Sequence, residues 1–436
     1  MKKQTQAEKM AALQKLVKNE TDKCIRCGEC RTVCPVFAVT PMERYTARGK
    51  IAIAESLTRG ELEFDAHTRE LFDNCLLCTG CVSQCSSGAR ADKVVIAVRE
   101  AYAEKLGVPL IKKAVGQTLS MPRGVLDAGA KIGAMAQKLA FKAVPETSGL
   151  YRRFSMPMVD KDQYVPQLAA RPFRDEVQFA GSPDQPKVVF FTGCMTNYFM
   201  TEIGHSLVKV LNALGIAVEV PSRQTCCGMP MLATGEHEIV RKQAERNIGA
   251  LAKDGMEVPI VTACASCGHM LKHGYMDRFG DDPALATGLK NIASRTRDIT
   301  EFLATDTDLD RLVPLLSKTA KLSATYHDPC HLRKAQKLIN EPRRVLETAT
   351  GNMISEMRHP EACCGLGGTY CLANMERSKQ IQAPKIEDAA TTNADVIATA
   401  CPGCILQLRD GLRRRNGGTD MPVKHIIQIL AEAIGA

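Results

Sequence analysis

Residues 24–37 read "CIRCGECRTVCPVF", which sets Cys24, Cys27, Cys30 and Cys34 in a C-x2-C-x2-C-x3-C run closed by Pro35. A second run of the same spacing, "CLLCTGCVSQC", carries Cys75, Cys78, Cys81 and Cys85, with Ser86 in place of the proline. Thiols at this density must be bridged or must bind metal, and that constrains the chain more than any other feature. The first twenty residues, "MKKQTQAEKMAALQKLVKNE", are charged throughout and lack an apolar signal core. The expected setting is therefore reducing and cytoplasmic, where nineteen cysteines point to metal rather than to disulfides.

Three thiolates spaced x2-x2 can wrap one face of an iron–sulfur cubane. The fourth, after x3, points away, and in two-cluster ferredoxins it ligates the other cluster. The expected crossed pairing is Cys24, Cys27, Cys30 and Cys85 for one [4Fe-4S] cluster, and Cys75, Cys78, Cys81 and Cys34 for the other. Zinc takes four ligands, usually from two C-x2-4-C pairs, and fits two complete runs poorly. Pro35 is expected to stop the turn from running on into a helix. Between the runs, Ile51, Ala54, Ser56 and Leu57 suggest one helix, and residues 67–74 a second.

Ten further cysteines form an internal repeat. Cys194, Cys226, Cys227, Cys264 and Cys267 read C-x31-CC-x36-CxxC, and Cys330, Cys363, Cys364, Cys401 and Cys404 read C-x32-CC-x36-CxxC. Every landmark is offset by 136 or 137 residues, a domain-sized duplication rather than a solenoid. "KVVFFTGC", "VPIVTACASC", "LSATYHDPC" and "ADVIATACPGC" read as buried strands ending in cysteines. Helical segments such as "HSLVKVLNALG" and "GHMLKHGYM" intervene, the pattern of parallel α/β layers with ligands at the carboxyl ends of strands. Five thiols per copy exceed the needs of zinc or of an ordinary cubane, so one further iron–sulfur cluster per repeat is expected, with the adjacent cysteines on different irons. Cys371 fits no motif and is expected in the core.

The fold class expected is α+β multidomain: a helical two-cluster ferredoxin domain (1–105), a basic helical segment and linker (106–185), and two duplicated α/β CCG domains (186–320 and 321–436). Within the linker, 145–186 is Pro-rich and aperiodic and reads as extended chain. The formal charge of +9 does not make this a nucleic-acid binder. Ligated four-iron clusters each carry roughly two negative charges, which the excess can offset. The chain also has no Trp, no aromatic-interleaved basic motif, no zinc-finger or RRM signature, and no GxGxxG after a strand. Residues 111–144 are helical in pattern and basic; a stretch of that kind lies on an anionic membrane surface, docks a partner, or is a solvated face.

A ferredoxin domain followed by two CCG repeats resembles the iron–sulfur subunits of glycolate oxidase and of D-lactate dehydrogenase. The resemblance spans nearly the whole chain. It includes "RGKIAIAESLTRGEL", "DNCLLCTGCVSQCSSGAR" (the family typically shows Cys-Pro-Ser-Gly at the end of this run), "YHDPCH" and "ACCGLGGTY". It implies an oxidoreductase subunit without hydride chemistry of its own. A separate FAD-binding 2-hydroxy-acid dehydrogenase subunit takes the hydride, and this chain passes single electrons toward a quinone or another acceptor. The fused heterodisulfide reductase subunit shares the layout and acts on a disulfide through noncubane clusters, and the anaerobic glycerol-3-phosphate dehydrogenase iron–sulfur subunit is a third relative. His327 and His331 bracket Cys330 and either donate hydrogen bonds to cluster sulfur or serve the core. Arg48 and Lys50 either offset cluster charge or lie on a solvated helix face.

Overall fold

The computed structural model describes residues 5–143, 150–152, 163–252, 257–316, 322–415 and 421–434. The chain divides into two compact units. The first comprises Met1–Gln117 together with two later segments, Met229–Val240 and Gly365–Ile381. Each of these segments lies just after a CCG or begins at its glycine. The expected 1–105 domain is thus extended by residues that the repeat pattern assigned to 186–320 and 321–436.

The first unit is helical. Gln6–Lys23 opens on a Thr5/Glu8 capping box, the local chemistry that satisfies orphan N–H groups at a helix start. Leu13 and Val17 on this helix, Ile51, Ala54 and Leu57 on Ala47–Arg59, and Val94, Val95, Val98 and Tyr102 on Ala91–Leu106 are buried, and the three helices pack together. Burial of each Val, Leu or Ile contributes about 1.5–3 kcal/mol. Ala66–Asp73 matches the second expected helix. Pro35 does not stop a helix but starts one: it is the first residue of Pro35–Val39. At that position the missing N–H costs nothing and the fixed φ already suits a helix.

The second unit holds both repeats. Its larger sheet runs, in spatial order, Phe179–Ala180, Ala217–Glu219, Lys187–Phe190, Ile260–Thr262 and Thr296–Asp298. All neighbours are parallel except Phe179–Ala180, an antiparallel edge. The smaller sheet, Val423–His425, Val396–Thr399 and Ala324–His327, is wholly parallel. Within the 145–186 linker, 145–149 and 153–162 fall outside the described residues. The end of that segment is not loose chain: Phe173 is buried against Phe190, ring centroids 5.8 Å apart, and Phe179–Ala180 joins the sheet. One buried aromatic outweighed an aperiodic pattern. The helical reading of 111–144 becomes two helices, Leu110–Ser120 and Arg123–Ala140, parted at Pro122, with a short antiparallel pairing of 141–143 and 150–152 after them.

The two repeats interlock. Gly193–Tyr198, carrying Cys194, packs on Pro402–Arg414, carrying Cys404. Ala265–His269, carrying Cys267, packs on the widened turn His331–Ala335 that follows Cys330. Strand ends are matched too. Asp298 and His425 close corresponding strands, each is fully buried, and each caps the helix after it, Asp298 from Thr300 N–H at 2.9 Å and His425 from Ile427 N–H at 3.2 Å.

Candidate iron–sulfur centres

In the first unit the two cysteine runs line two adjacent hollows. Cys34, Cys75, Cys78 and Cys81 surround one, walled by Val36, Tyr45, Lys50, Leu76 and Val95. Cys24, Cys27, Cys30 and Cys85 surround the other, with Arg48, Ile51 and Ala91, and Cys81 borders both. The backbone is bent to make this possible. Arg26 (φ 57°) and Gly28 (φ 92°) flank Cys27, and Leu77 (φ 53°) and Thr79 (φ 57°) flank Cys78. Left-handed backbone costs a non-glycine residue about 1–2 kcal/mol, strain of the kind that concentrates at functional sites. Backbone donors point at sulfur: Leu77 N–H lies 3.5 Å from Cys75 Sγ and Ala89 N–H 3.3 Å from Cys85 Sγ.

The donor set fits iron–sulfur clusters. Burial, with the neighbouring Cys75 and Cys78, pushes the Cys81 thiol well above its ordinary pKa, and burial also raises Cys34. Four sulfurs converging in such a place are stable as thiolates only with a metal between them. Burial acts upward on Cys85 as well, but hydrogen bonds from Ser87 and the Ala89 backbone outweigh it and hold that thiol below its ordinary value.

Lys50 is not on a solvated face. It is 3% exposed, donates to the Tyr45 carbonyl, and faces the first hollow, where burial lowers its pKa and Cys75 and Cys34 act to keep it charged. Arg48 is half-buried and donates to the Arg26 carbonyl at 2.8 Å, holding the first loop. Arg99, to which no sequence motif points, is the main brace of the second run. It donates to the carbonyls of Phe72 (2.7 Å) and Cys75 (2.6 Å), and to that of Ala233 (2.8 Å) in the segment after the first CCG. Cys371 is only half-buried and donates to the Gly368 carbonyl at 3.4 Å. The core role expected for it does not hold, because its four-residue helix Tyr370–Ala373 turns only Tyr370 inward.

In the second unit the ten repeat cysteines gather where parallel strands end. Cys194 follows Lys187–Phe190, Cys264 follows Ile260–Thr262, Cys330 follows Ala324–His327 and Cys401 follows Val396–Thr399. Both CCG glycines are left-handed, Gly228 at φ 85° and Gly365 at φ 91°, which explains why glycine follows each cysteine pair. The loop ahead of the first CCG is pinned to its strand. Gln224, 1% exposed, accepts from Thr192 N–H at 2.8 Å and donates to the Phe190 carbonyl at 3.0 Å. In the second repeat buried Lys385 donates to the His359 carbonyl at 2.7 Å, and desolvation lowers its pKa to about 8.

Nine of these thiols, all but Cys330, form a continuous chain. Cys194 and Cys226 stand 4.0 Å apart and Cys364 and Cys404 3.8 Å apart. Cys226 reaches Cys227, which reaches Cys267; Cys264, beside Cys267, meets Cys401 of the other repeat, and Cys401 meets Cys404. Cys363 adjoins Cys364 at the far end. Gly193 (φ 65°) makes the approach possible, since a Cβ there would lie 2.9 Å from Cys267 Sγ. His331 is occupied by Ser266 Oγ at 3.0 Å and stacks on His269 at 4.9 Å, a role in joining the repeats. His327 is buried beside Cys364 and Cys404.

A two-cluster ferredoxin domain joined to two cysteine-rich α/β domains defines an iron–sulfur electron-transfer protein. Comparison with known families agrees: residues 20–89 match the 4Fe-4S dicluster domain, and residues 188–272 and 324–409 match the Cysteine-rich domain. The chain belongs to the family of glycolate oxidase and lactate-utilization iron–sulfur proteins. It is 30% identical to "Lactate utilization protein A 2" of Bacillus cereus, over 57% of this chain and 99% of that protein. It is 25% identical to the "Probable glycolate oxidase iron-sulfur subunit" of Bacillus subtilis over 99% of both chains. It is also 28% identical to a chain of the dihydromethanophenazine:CoB--CoM heterodisulfide reductase of Methanosarcina barkeri, over 95% of this chain and 94% of that one.

Proposed function

We propose that this chain is the electron-transfer subunit of a flavin-dependent 2-hydroxy-acid dehydrogenase acting on glycolate or D-lactate. An FAD-binding partner removes the hydride, and this chain relays single electrons to a quinone or another acceptor. The observation that carries the reading is end-to-end similarity to a protein named as a glycolate oxidase iron–sulfur subunit. Cys24, Cys27, Cys30 and Cys85 hold one [4Fe-4S] cluster and Cys75, Cys78, Cys81 and Cys34 the other, the grouping supported by the two hollows. Cys194, Cys226, Cys227, Cys264 and Cys267 hold the third centre, and Cys330, Cys363, Cys364, Cys401 and Cys404 the fourth. Such clusters supply one-electron redox chemistry. The residues of this chain offset their charge (Lys50) and brace their loops (Arg99).

A second reading is supported by the unbroken thiol chain and by the heterodisulfide reductase relative: a catalytic protein that cleaves a disulfide. The two are separated by mixing the anaerobic chain with its flavoprotein and substrate. Under the first reading the isolated chain is inert to glycolate and lactate, and its clusters are reduced only when flavoprotein and 2-hydroxy acid are both present. Disulfide cleavage by the reduced chain alone, faster than by free dithiol, contradicts that reading and supports the second.

Among the described residues no helix is long and apolar enough to cross a membrane. A peripheral contact on the cytoplasmic membrane face is supported by Arg123–Ala140, which exposes Val125, Ile132, Met135 and Leu139 beside Lys131 and Lys138.

A further inference from the structure

The two cysteine-rich centres are built on one plan but differ at one position. Three residues before Cys194, just past the end of its strand, stands Phe191, whose ring is completely buried. Three residues before Cys330 stands His327, 1% exposed. The fold therefore accepts an apolar ring here, and a polar one carries a desolvation cost. Neither ring nitrogen of His327 has a nitrogen or oxygen hydrogen-bond partner, and the one group it bonds is the Cys364 thiol. One of them lies within 4.8 Å of both Cys364 Sγ and Cys404 Sγ.

The two sulfurs are themselves 3.8 Å apart. Two thiolates bound to one tetrahedral metal at about 2.3 Å stand roughly 3.8 Å from each other. Imidazole binds the same metals at about 2.0–2.1 Å through an unprotonated nitrogen. Two buried sulfurs at the spacing of a shared metal, and a buried nitrogen whose only polar neighbours are those sulfurs, make a three-point donor set. The other nearby histidines differ: His331 Nδ1 meets Ser266 Oγ, and His425 Nδ1 accepts from Ile427 N–H, its Nε2 also lying buried without a partner, but among the described residues only His327 groups with two thiols at metal-binding distances.

We propose that His327 is a metal ligand of the second cysteine-rich centre, with Cys364 and Cys404 on the same metal, so that this centre has a mixed nitrogen–sulfur donor set and the first does not. The inference rests on the reading that the second repeat holds an iron–sulfur centre. Neutral imidazole brings no negative charge to the metal. Histidine ligation raises the potential of iron–sulfur centres where it replaces thiolate. At the second centre the imidazole adds to five thiolates rather than replacing one, so its signature is the nitrogen donor itself.

The test uses the full chain purified without oxygen, in natural-abundance form and with 15N-histidine, reduced with dithionite and studied by pulsed EPR. The proposal expects a strong nitrogen coupling of bound imidazole that changes with the 15N label. It expects that coupling to be lost in His327→Phe, which copies the first repeat, and in the smaller His327→Asn. Circular dichroism identifies a variant that has failed to fold. Iron beyond the roughly eight atoms of two four-iron clusters, with no histidine coupling in the wild type, overturns the proposal alone. So does a coupling that persists in either folded variant. Iron limited to those two clusters overturns the underlying reading of the repeats, and the proposal with it.

Discussion

Cys34→Ala is expected to remove the cluster held by the other run. Cys34 follows Cys30 by four positions, yet it lines the hollow of Cys75, Cys78 and Cys81, while Cys85 lines that of Cys24, Cys27 and Cys30. Losing one of four thiolates leaves an iron open to solvent and oxidation, so about four iron atoms should go with it. Cys34→Ala and Cys78→Ala should therefore lose the same EPR signal and keep the same remaining one. Cys85→Ala and Cys27→Ala should form the complementary pair. If Cys34→Ala matches Cys27→Ala instead, each run holds its own cluster and the crossed arrangement is wrong.

Arg99→Ala is expected to disable the same hollow without touching a ligand. The guanidinium is 5% exposed and ties the carbonyls of Phe72, Asp73, Cys75 and Ala233. Truncation strands several buried carbonyls, each at a cost of about 1–3 kcal/mol, and leaves Asp73 to Lys112, at 3.1 Å, and Arg69, at 3.5 Å. The loop that carries Cys75 loses its brace. The variant should bind about four fewer iron atoms and unfold at a markedly lower temperature, whereas Arg99→Lys should recover part of the loss. Full iron content with an unchanged melting temperature in Arg99→Ala shows that the brace is dispensable.

How far these features can be read in advance depends on the range of the physics behind them. Cysteine spacing is local, and the runs and CCG repeats announce their chemistry without any knowledge of the fold. The strands before Cys194, Cys264, Cys330 and Cys401 are short apolar runs and equally plain. Tertiary burial leaves no such mark. Lys50 sits in the helical pattern of Ala47–Arg59 like any solvated lysine, and only packing shows it turned inward. Arg99 serves carbonyls 24–27 and 134 residues away, a distance no motif spans. Pro35 had two meanings, helix stop or helix start, and chain direction after Cys34 decided between them. Phe173 and the edge strand Phe179–Ala180 were hidden in a Pro-rich segment whose burial is set by a sheet formed later in the chain. "YHDPCH" offered two histidines near Cys330; which of them faces sulfur, and which joins the repeats, is decided by the fold alone.

The central claim is that these cysteines hold iron–sulfur clusters in both units. The most direct test is the iron and acid-labile sulfide content of the chain purified anaerobically. Two ferredoxin clusters with further centres in the repeats predict more than about eight atoms of each per chain. Stoichiometric zinc with neither iron nor sulfide contradicts the account.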